Sequence, residues 1–112
     1  MNNEIKIGRK YFMNGTEVEA LAYKTENEVL MVRDNEGYLD FIVGDFKTVD
    51  DNLVTRNTVG YMVTDKEMLD YINNDISKIK AHSKDDVIKA IRNKYYKIPR
   101  KIAEVVAEWY LG

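Results

Sequence analysis

The chain has 112 residues, no cysteine, one histidine and a formal net charge of −2; 45% of its residues are hydrophobic and 32% are charged. This composition predicts one soluble globular unit, and the absence of cysteine excludes disulfides, thiol nucleophiles and thiolate metal sites. No apolar run reaches the ~18–20 residues that cross a bilayer, and the first ten residues lack the apolar stretch of a secretory signal. We therefore expect a cytoplasmic protein with no membrane contact.

The first half of the chain predicts short β-strands separated by turns. Asn14-Gly15 is the pair that a type I′ hairpin turn favours, because both positions need a positive φ. A second turn is predicted at residues 34–37. The stretch 52–63 is ambiguous, and residues 59–63 add a strand in one interpretation. The other predicted strands cover residues 9–13, 16–23, 28–33, 38–43 and 46–49.

The layout of these strands resembles that of SH3-like small β-barrels: a Gly, a hairpin, a longer hairpin and a short last strand. The resemblance covers about 45 residues, GRKYFMNGTEVEALAY and, further on, VLMVRDNEGYLDFIVGDFKTV. It implies a small antiparallel barrel over residues 1–63. It implies no activity, because such barrels serve nucleic-acid, peptide and toxin functions alike.

Residues 64–112 predict three short amphipathic helices. Thr64 and Ser83 each precede an acidic residue by three positions, the spacing of a capping box with Glu67 and Asp86. Pro99 suits the first turn of a third helix. The apolar stripes with helical period are Met68, Leu69, Ile72, Ile76 and Ile79; Val87, Ile88, Ile91 and Tyr95; and Ile102, Val105, Val106 and Trp109. The predicted fold class is α+β: a small SH3-like antiparallel β-barrel followed by three short amphipathic helices.

These stripes need a surface to cover them, either another helix or the barrel. We expect residues 1–63 and 64–112 to form one folding unit with a single unfolding transition. Trp109 should be largely buried, so that Trp109→Ala would cost about 3–5 kcal/mol.

Few residues are suited to catalysis. His82, at the end of the first predicted helix, is explained by the helix dipole, and no Ser or Asp partner is placed with it. Asp50-Asp51 and Asp85-Asp86 are adjacent pairs, which point to different faces of a strand or helix. No glycine-rich phosphate loop is present. We expect no enzymatic activity, no cofactor and no metal.

The segment FKTVDDNLVTRNTVGYMVTDKEML resembles the tail of the MazF/PemK-type endoribonuclease toxins over about 20 residues. The resemblance rests on Thr48-Val49-Asp50, Leu53, Gly60, and Thr64 leading into Glu67 and Met68. The first half of the chain has no counterpart of the family's RP-x-x-V strand or of its Thr/Ser-bearing strand. No catalytic residue is carried over, and a ribonuclease toxin relative is the third functional candidate.

Charge is distributed unevenly along the chain. Residues 1–65 carry twelve acids against seven bases, and residues 66–112 carry seven acids against ten bases. The bases in the second half form either a solvated helical surface or a surface for phosphate. Arg100 and Lys101 fall at the positive N-terminal end of the third helix, where each should cost about 0.3–1 kcal/mol. Bases kept at a position that the helix dipole disfavours indicate a functional role. That role would be anion binding, because helix N-termini already attract anions.

We therefore predict a small non-enzymatic protein that contacts nucleic-acid phosphate through a basic helical segment. The predicted contact residues are Lys89, Arg92, Lys94, Tyr96, Lys97, Arg100 and Lys101. The alternative is a protein-binding inhibitor or adaptor, for example an anti-defence protein, acting on a host factor. Its predicted contact residues are Tyr23, Tyr38, Asp40, Asp45, Asp50 and Asp51. An excess of residues with AT-rich codons favours a low-GC bacterium, its phage or a mobile element as the source.

Overall fold

The computed structural model describes residues 5–24, 28–55, 58–79, 83–95 and 98–111, with the backbone alone at residues 59–63, 72–73 and 75–79. Its elements are β1 (Lys10–Met13), β2 (Thr16–Lys24), β3 (Val29–Asp34), β4 (Tyr38–Val43), β5 (Phe46–Val49), β6 (Asn52–Thr55), β7 (Thr58–Thr64), α1 (Asp65–Ile79), α2 (Lys84–Lys94) and α3 (Arg100–Leu111). The predicted α+β class, the five strands and the three helices are confirmed. The ambiguous stretch 52–63 contains two strands, β6 and β7.

The strands form one seven-stranded sheet in the order β5-β6-β1-β2-β3-β4-β7. Neighbours are antiparallel except β1 and β6, which run parallel. The predicted all-antiparallel arrangement is therefore wrong at this pair. The chain leaves β4 and forms the β5–β6 hairpin, which brings β6 back beside β1 in the same direction.

Two of the turns consist of two residues with positive φ. Asn14 and Gly15 have φ of 53° and 81° between β1 and β2, which confirms the type I′ prediction. Asp50 and Asp51 have φ of 49° and 66° between β5 and β6. This second turn carries no glycine, so β6 has only a weak signal in the sequence.

β3 and β4 separate two hydrophobic clusters. On the outer side of the sheet, Val29 and Met31 of β3 and Phe41 of β4 pack with the buried residues of the helices. On the inner side, Leu30 of β3 and Ile42 of β4 pack with residues of β1, β2, β5 and β6. Because six strands contribute to this inner cluster, the sheet curls around it as a half-barrel. The helices thus share a core with the strands.

Local sequence explains where the helices begin. Thr64 Oγ1 accepts a hydrogen bond from the amide of Glu67 at 3.1 Å, and the Thr64 amide donates to Glu67 Oε2 at 3.2 Å, which completes the predicted capping box. Ser83 Oγ accepts from the amide of Asp86 at 3.2 Å. α3 begins at Arg100, directly after Pro99, which the prediction had placed in the first turn of this helix.

The second and third predicted apolar stripes lie in or against the outer cluster, and the first contributes Met68. The side chains of Ile72, Ile76 and Ile79 lie outside the described residues. The buried members are Met68, Val87, Ile88, Ile91, Ile102, Val105 and Val106. Tyr95 and Trp109 pack against this cluster but are only partly buried. Trp109 is thus less enclosed than expected, which lowers the expected cost of its truncation.

Candidate nucleic-acid interface

Packing of α2 fixes which of its side chains face solvent. Val87, Ile88 and Ile91 are buried, which turns Lys89 and Arg92 outward. These two bases are three residues apart and therefore lie on one face of the helix, with Cβ atoms about 5–6 Å apart. Both are exposed, and neither side chain has an ion pair with another residue in the part of the chain that the structure describes.

Lys94 lies on a different side of α2, against α1. Its Nζ is 5.5 Å from the centre of the Tyr71 ring, a cation–π contact, although the side chain is exposed. The Tyr71 hydroxyl donates to the carbonyl of Ala90 at 2.9 Å, and its ring meets Tyr95 edge to face at 6.1 Å. Burial, with the nearby charge of Glu67, raises the pKa of Tyr95. The predicted assignment of Tyr95 to the apolar stripe is consistent with this packing.

Arg100 and Lys101 at the start of α3 are both exposed. Arg100 Nη2 lies 3.6 Å from Asp85 Oδ1, and Arg100 Nε lies 3.8 Å from Glu104 Oε1. These acids offset the unfavourable position of Arg100 at the positive end of the helix. Asp85 is in the first turn of α2, so the Arg100 guanidinium lies toward the start of α2. Tyr96, Lys97 and His82 lie outside the described residues.

In the ion pairs between strands and helices, the strands supply the bases, although residues 1–65 are acidic overall. Lys24 of β2 pairs with Glu108 of α3 at 2.7 Å, and Arg33 of β3 pairs with Asp65 at the start of α1. In both pairs the base lies on a strand and the acid lies on a helix. Within the described ranges, Lys89 and Arg92 of α2 form no ion pair with an acid of the sheet.

The residues predicted for protein binding lie on several elements of the sheet. Tyr38 and Asp40 lie on β4 and are partly buried, whereas Asp45, Asp50 and Asp51 are exposed at the two ends of β5. Burial raises the pKa of Asp40, against the effect of a 2.9 Å hydrogen bond from the amide of Phe41; the charge of Asp34 adds to the rise. The two other notable contacts are an edge-to-face contact of the Tyr23 ring with Phe46 at 5.3 Å and an ion pair between Asp51 and Arg9.

Sequence reasoning missed an apolar group on the outward face of β1, β6 and β5. Phe12, Val54 and Val49 are 45%, 47% and 48% exposed. Phe12 is opposite Asn52, which is in turn opposite Val49, so the three strands present these side chains to the same side. The available signal was the alternation of outward Phe12 with buried Tyr11 and Met13.

The described residues contain no group of three or more His, Asp or Glu side chains that could hold a metal ion. They also contain no helix that is long and apolar enough to cross a membrane.

Comparison with known proteins does not assign the chain to a family. No protein-family model matches the chain, and neither the curated proteins nor the solved structures give a significant match.

Proposed function

We propose that the chain is a small non-enzymatic protein that binds nucleic acid by contacting phosphate with the outward face of α2. The observation that supports this is the pair Lys89 and Arg92: both bases are exposed, one helical turn apart, and without an ion pair among the described residues. Helix packing holds them toward solvent before any ligand arrives. Bases held in this way release counterions from phosphate, which is the main source of sequence-independent affinity.

The centre of the proposed surface is α2 and not the start of α3. α3 buries two sides, through Ile102, Val105 and Ala107 among others, and its partly exposed side carries Glu104 and Glu108. Such a helix is poorly suited to enter a groove of DNA, since both acids would face phosphate. In this proposal Lys94, Arg100 and Lys101 contribute at the edge of the surface, and Tyr96 and Lys97 connect the two helices.

The half-barrel is the scaffold in this proposal, and we assign it to the SH3-like small barrels. The hairpin order and the type I′ turn at Asn14-Gly15 support that assignment. The parallel β1–β6 pair is the feature that an SH3-like relative would have to share.

Fluorescence anisotropy of a labelled DNA duplex in a salt series tests the proposal. Lys89→Gln combined with Arg92→Gln should weaken binding and lower the slope of log affinity against log salt by about 1.8, since each lost phosphate contact removes about 0.9. The control is Lys10→Gln combined with Lys47→Gln, which removes the same charge from exposed positions on β1 and β5. Equal slopes for the two double variants, or no binding by the wild type at low salt, would contradict the proposal.

Cleavage of RNA distinguishes this proposal from a toxin relative. Asp50 lies in an exposed two-residue turn, and its side chain has no ion pair with another described residue. We expect purified protein to leave a defined RNA intact in the presence or absence of magnesium. Cleavage that is lost in Asp50→Ala would instead support the resemblance to the endoribonuclease toxins.

Protein binding is the second candidate, and one observation favours it. Phe12, Val49 and Val54 expose apolar surface on one side of the sheet, beside the acidic turn Asp50-Asp51. Apolar side chains grouped on a surface commonly mark protein contacts. Affinity purification from nuclease-treated lysate tests this candidate. A single protein retained by the wild type and lost with Phe12→Ser and Val54→Ser would support it, and retention by that variant would contradict it.

A further inference from the structure

The helices cover one side of the sheet over only part of its width. The described strand residues that pack with the helices belong to β2, β3 and β4. β1, β6 and β5 continue the sheet beyond β2 to its edge. On the same side of these three strands, Phe12, Val54 and Val49 are each nearly half exposed. We call this outward surface of β1, β6 and β5 the open face.

The open face carries one unpaired charge of each sign. Lys47 of β5 is exposed and lies opposite Val54, so it points to the same side as the apolar group. Asp50 is exposed in the turn that follows Val49, at the other end of β5. Neither Lys47 nor Asp50 has an ion pair with another described residue. Two neighbouring ion pairs are already formed within the chain, Lys10 with Glu17 and Arg9 with Asp51.

A second copy of the chain complements both of these charges. In a two-fold symmetric dimer the same surface of each copy meets the other, so every contact occurs twice. If two open faces meet with their β5 strands antiparallel, Lys47 at the start of one β5 lies over Asp50 at the end of the other. Phe12 and Val49 are level with each other along the strands, between the two charges. They would therefore be removed from water near the two-fold axis.

The size of the open face determines how strong such a dimer can be. β1, β5 and β6 have four residues each. With strands about 4.8 Å apart and about 3.4 Å per residue, the face measures roughly 14 Å by 14 Å. A stable interface of standard size buries about 800 Å² on each partner, which is well above what this face supplies. We therefore expect association only at high protein concentration.

We propose that the open face binds a second copy of this chain as a weak two-fold dimer. Phe12, Val49 and Val54 supply the apolar contact, and two symmetry-related pairs between Lys47 and Asp50 set the antiparallel orientation. This interface goes beyond the proposed nucleic-acid surface and uses none of its residues.

Sedimentation velocity of nuclease-treated protein tests the proposal. The sedimentation coefficient of the wild type should rise between about 10 µM and about 1 mM. Lys47→Glu places an acid opposite Asp50 at both symmetric contacts and should weaken the dimer by about tenfold. Asp50→Lys should weaken it similarly. Lys89→Gln combined with Arg92→Gln should dimerise like the wild type, so that this test is independent of nucleic-acid binding.

A mixture of the two charge variants should associate although each variant alone does so poorly. In the mixed dimer the introduced glutamate faces the introduced lysine, and the remaining Lys47 faces the remaining Asp50. Both contacts are attractive again, so we expect the mixed dimer to be within about threefold of the wild type in affinity. A mixture as weak as its components would overturn the proposed orientation.

The apolar contact has its own matched pair of variants. Phe12→Ser should weaken the dimer by at least about tenfold, because it removes the aromatic side chain nearest the axis. Leu111→Ser is the control, since Leu111 of α3 is exposed to a similar degree, at 48%, and lies outside the open face. Equal losses for the two variants would contradict the assignment of the dimer to the open face.

Lys47→Glu and Phe12→Ser decide the test even if Asp50→Lys disturbs its turn. A dimer that is unchanged in Lys47→Glu would overturn the proposal. So would a wild type that stays monomeric at about 1 mM, and the open face would then fit a different protein.

Discussion

Arg33 connects three elements through the two branches of its guanidinium group. Nη1 bonds to Asp65 at the start of α1, and Nη2 bonds to Glu19 of β2 at 3.2 Å. All three side chains are partly buried, at about a quarter to a third exposed. A planar fork that meets two carboxylates is specific to arginine, because lysine presents a single charged nitrogen.

We expect Arg33→Met to lower the free energy of unfolding by about 1.5–3 kcal/mol, because it leaves two carboxylates without their cation. Lys66→Met is the control: Lys66 pairs with Asp70 one turn along α1, and both side chains are largely exposed, so its loss should leave the free energy of unfolding almost unchanged. Urea denaturation measures both values. Equal losses for the two variants would show that Arg33 acts only as a surface charge.

Glu108 and Asp40 should give opposite pH dependence. The pKa of Glu108 is lowered by Lys24 and Lys84, so its contribution to stability is present above its ordinary pKa and is lost as pH falls through the folded-state value. The pKa of Asp40 is raised by burial, so its contribution is greatest below the ordinary value and is lost as pH rises through the folded-state value.

Denaturation at about pH 7 and about pH 3 separates the two effects. Glu108→Gln should be less stable than the wild type at the higher pH and should approach it at the lower pH. Asp40→Asn should be more stable than the wild type at the higher pH, because the amide removes the burial penalty and its oxygen still accepts from Phe41. If both variants shift in the same direction, the assigned causes are wrong.

Among the elements, α3 shows how tertiary contacts modify a rule for isolated helices. Sequence alone treats Arg100 and Lys101 as equally misplaced at the positive end of the helix. The structure distinguishes them, because Arg100 lies near Asp85 and Glu104. Lys101 has no ion pair with another described residue.

We therefore expect Lys101→Glu to leave stability unchanged or to raise it by about 0.3–1 kcal/mol through the helix dipole. Arg100→Glu should gain less or lose stability, because the new carboxylate would face two acids. Thermal unfolding of the two single variants makes the comparison. Equal gains would mean that the contacts of Arg100 contribute nothing.

Elements with local signals could be predicted from the sequence, and those without them could not. The pair Asn14-Gly15 and the boxes beginning at Thr64 and Ser83 specify their own turns and helix starts through neighbouring residues. The turn before β6 is made by Asp50-Asp51, which adopts positive φ without a glycine. That turn depends on the surrounding sheet, so neither β6 nor its parallel pairing was evident from composition.

The candidate site, too, could be predicted from the sequence only where local patterns determine it. The exposure of Lys89 and Arg92 follows from the helical period, which also places Val87 and Ile91 inside. The contact of Arg100 with Asp85 depends on how α2 and α3 cross, and no local pattern reports that. Long-range packing also brings Lys24 to Glu108, 84 residues later in the chain.

In the whole molecule, β3 joins the two cores. Its four consecutive residues Val29 to Val32 are all buried, alternately toward the helices and toward the inner face of the sheet. An uninterrupted apolar run is the pattern of a strand covered on both faces. Removal of the helices would expose Val29, Met31, Leu39 and Phe41 together.

We expect Phe41→Ala to lower the free energy of unfolding by about 3–5 kcal/mol. The unfolding temperatures of the strands and of the helices should fall together. A chain truncated after residue 63 should remain unfolded, because half of the apolar surface of β3 and β4 would face water. Circular dichroism for the helices and Trp109 emission for the contact between α3 and the sheet provide two probes of the full-length protein. Transitions at different temperatures would show two independent units.

The parallel contact between β1 and β6 has a consequence for how the molecule opens. The β5–β6 hairpin meets the rest of the sheet through two residue pairs, Phe12 with Asn52 and Met13 with Leu53, together with a hydrogen bond from the Phe12 amide to the Asp51 carbonyl. β3, by contrast, is paired along both of its sides. In amide hydrogen exchange, deuterium should therefore enter β5 and β6 through local opening, long before it reaches β3, whose amides exchange only when the whole chain unfolds.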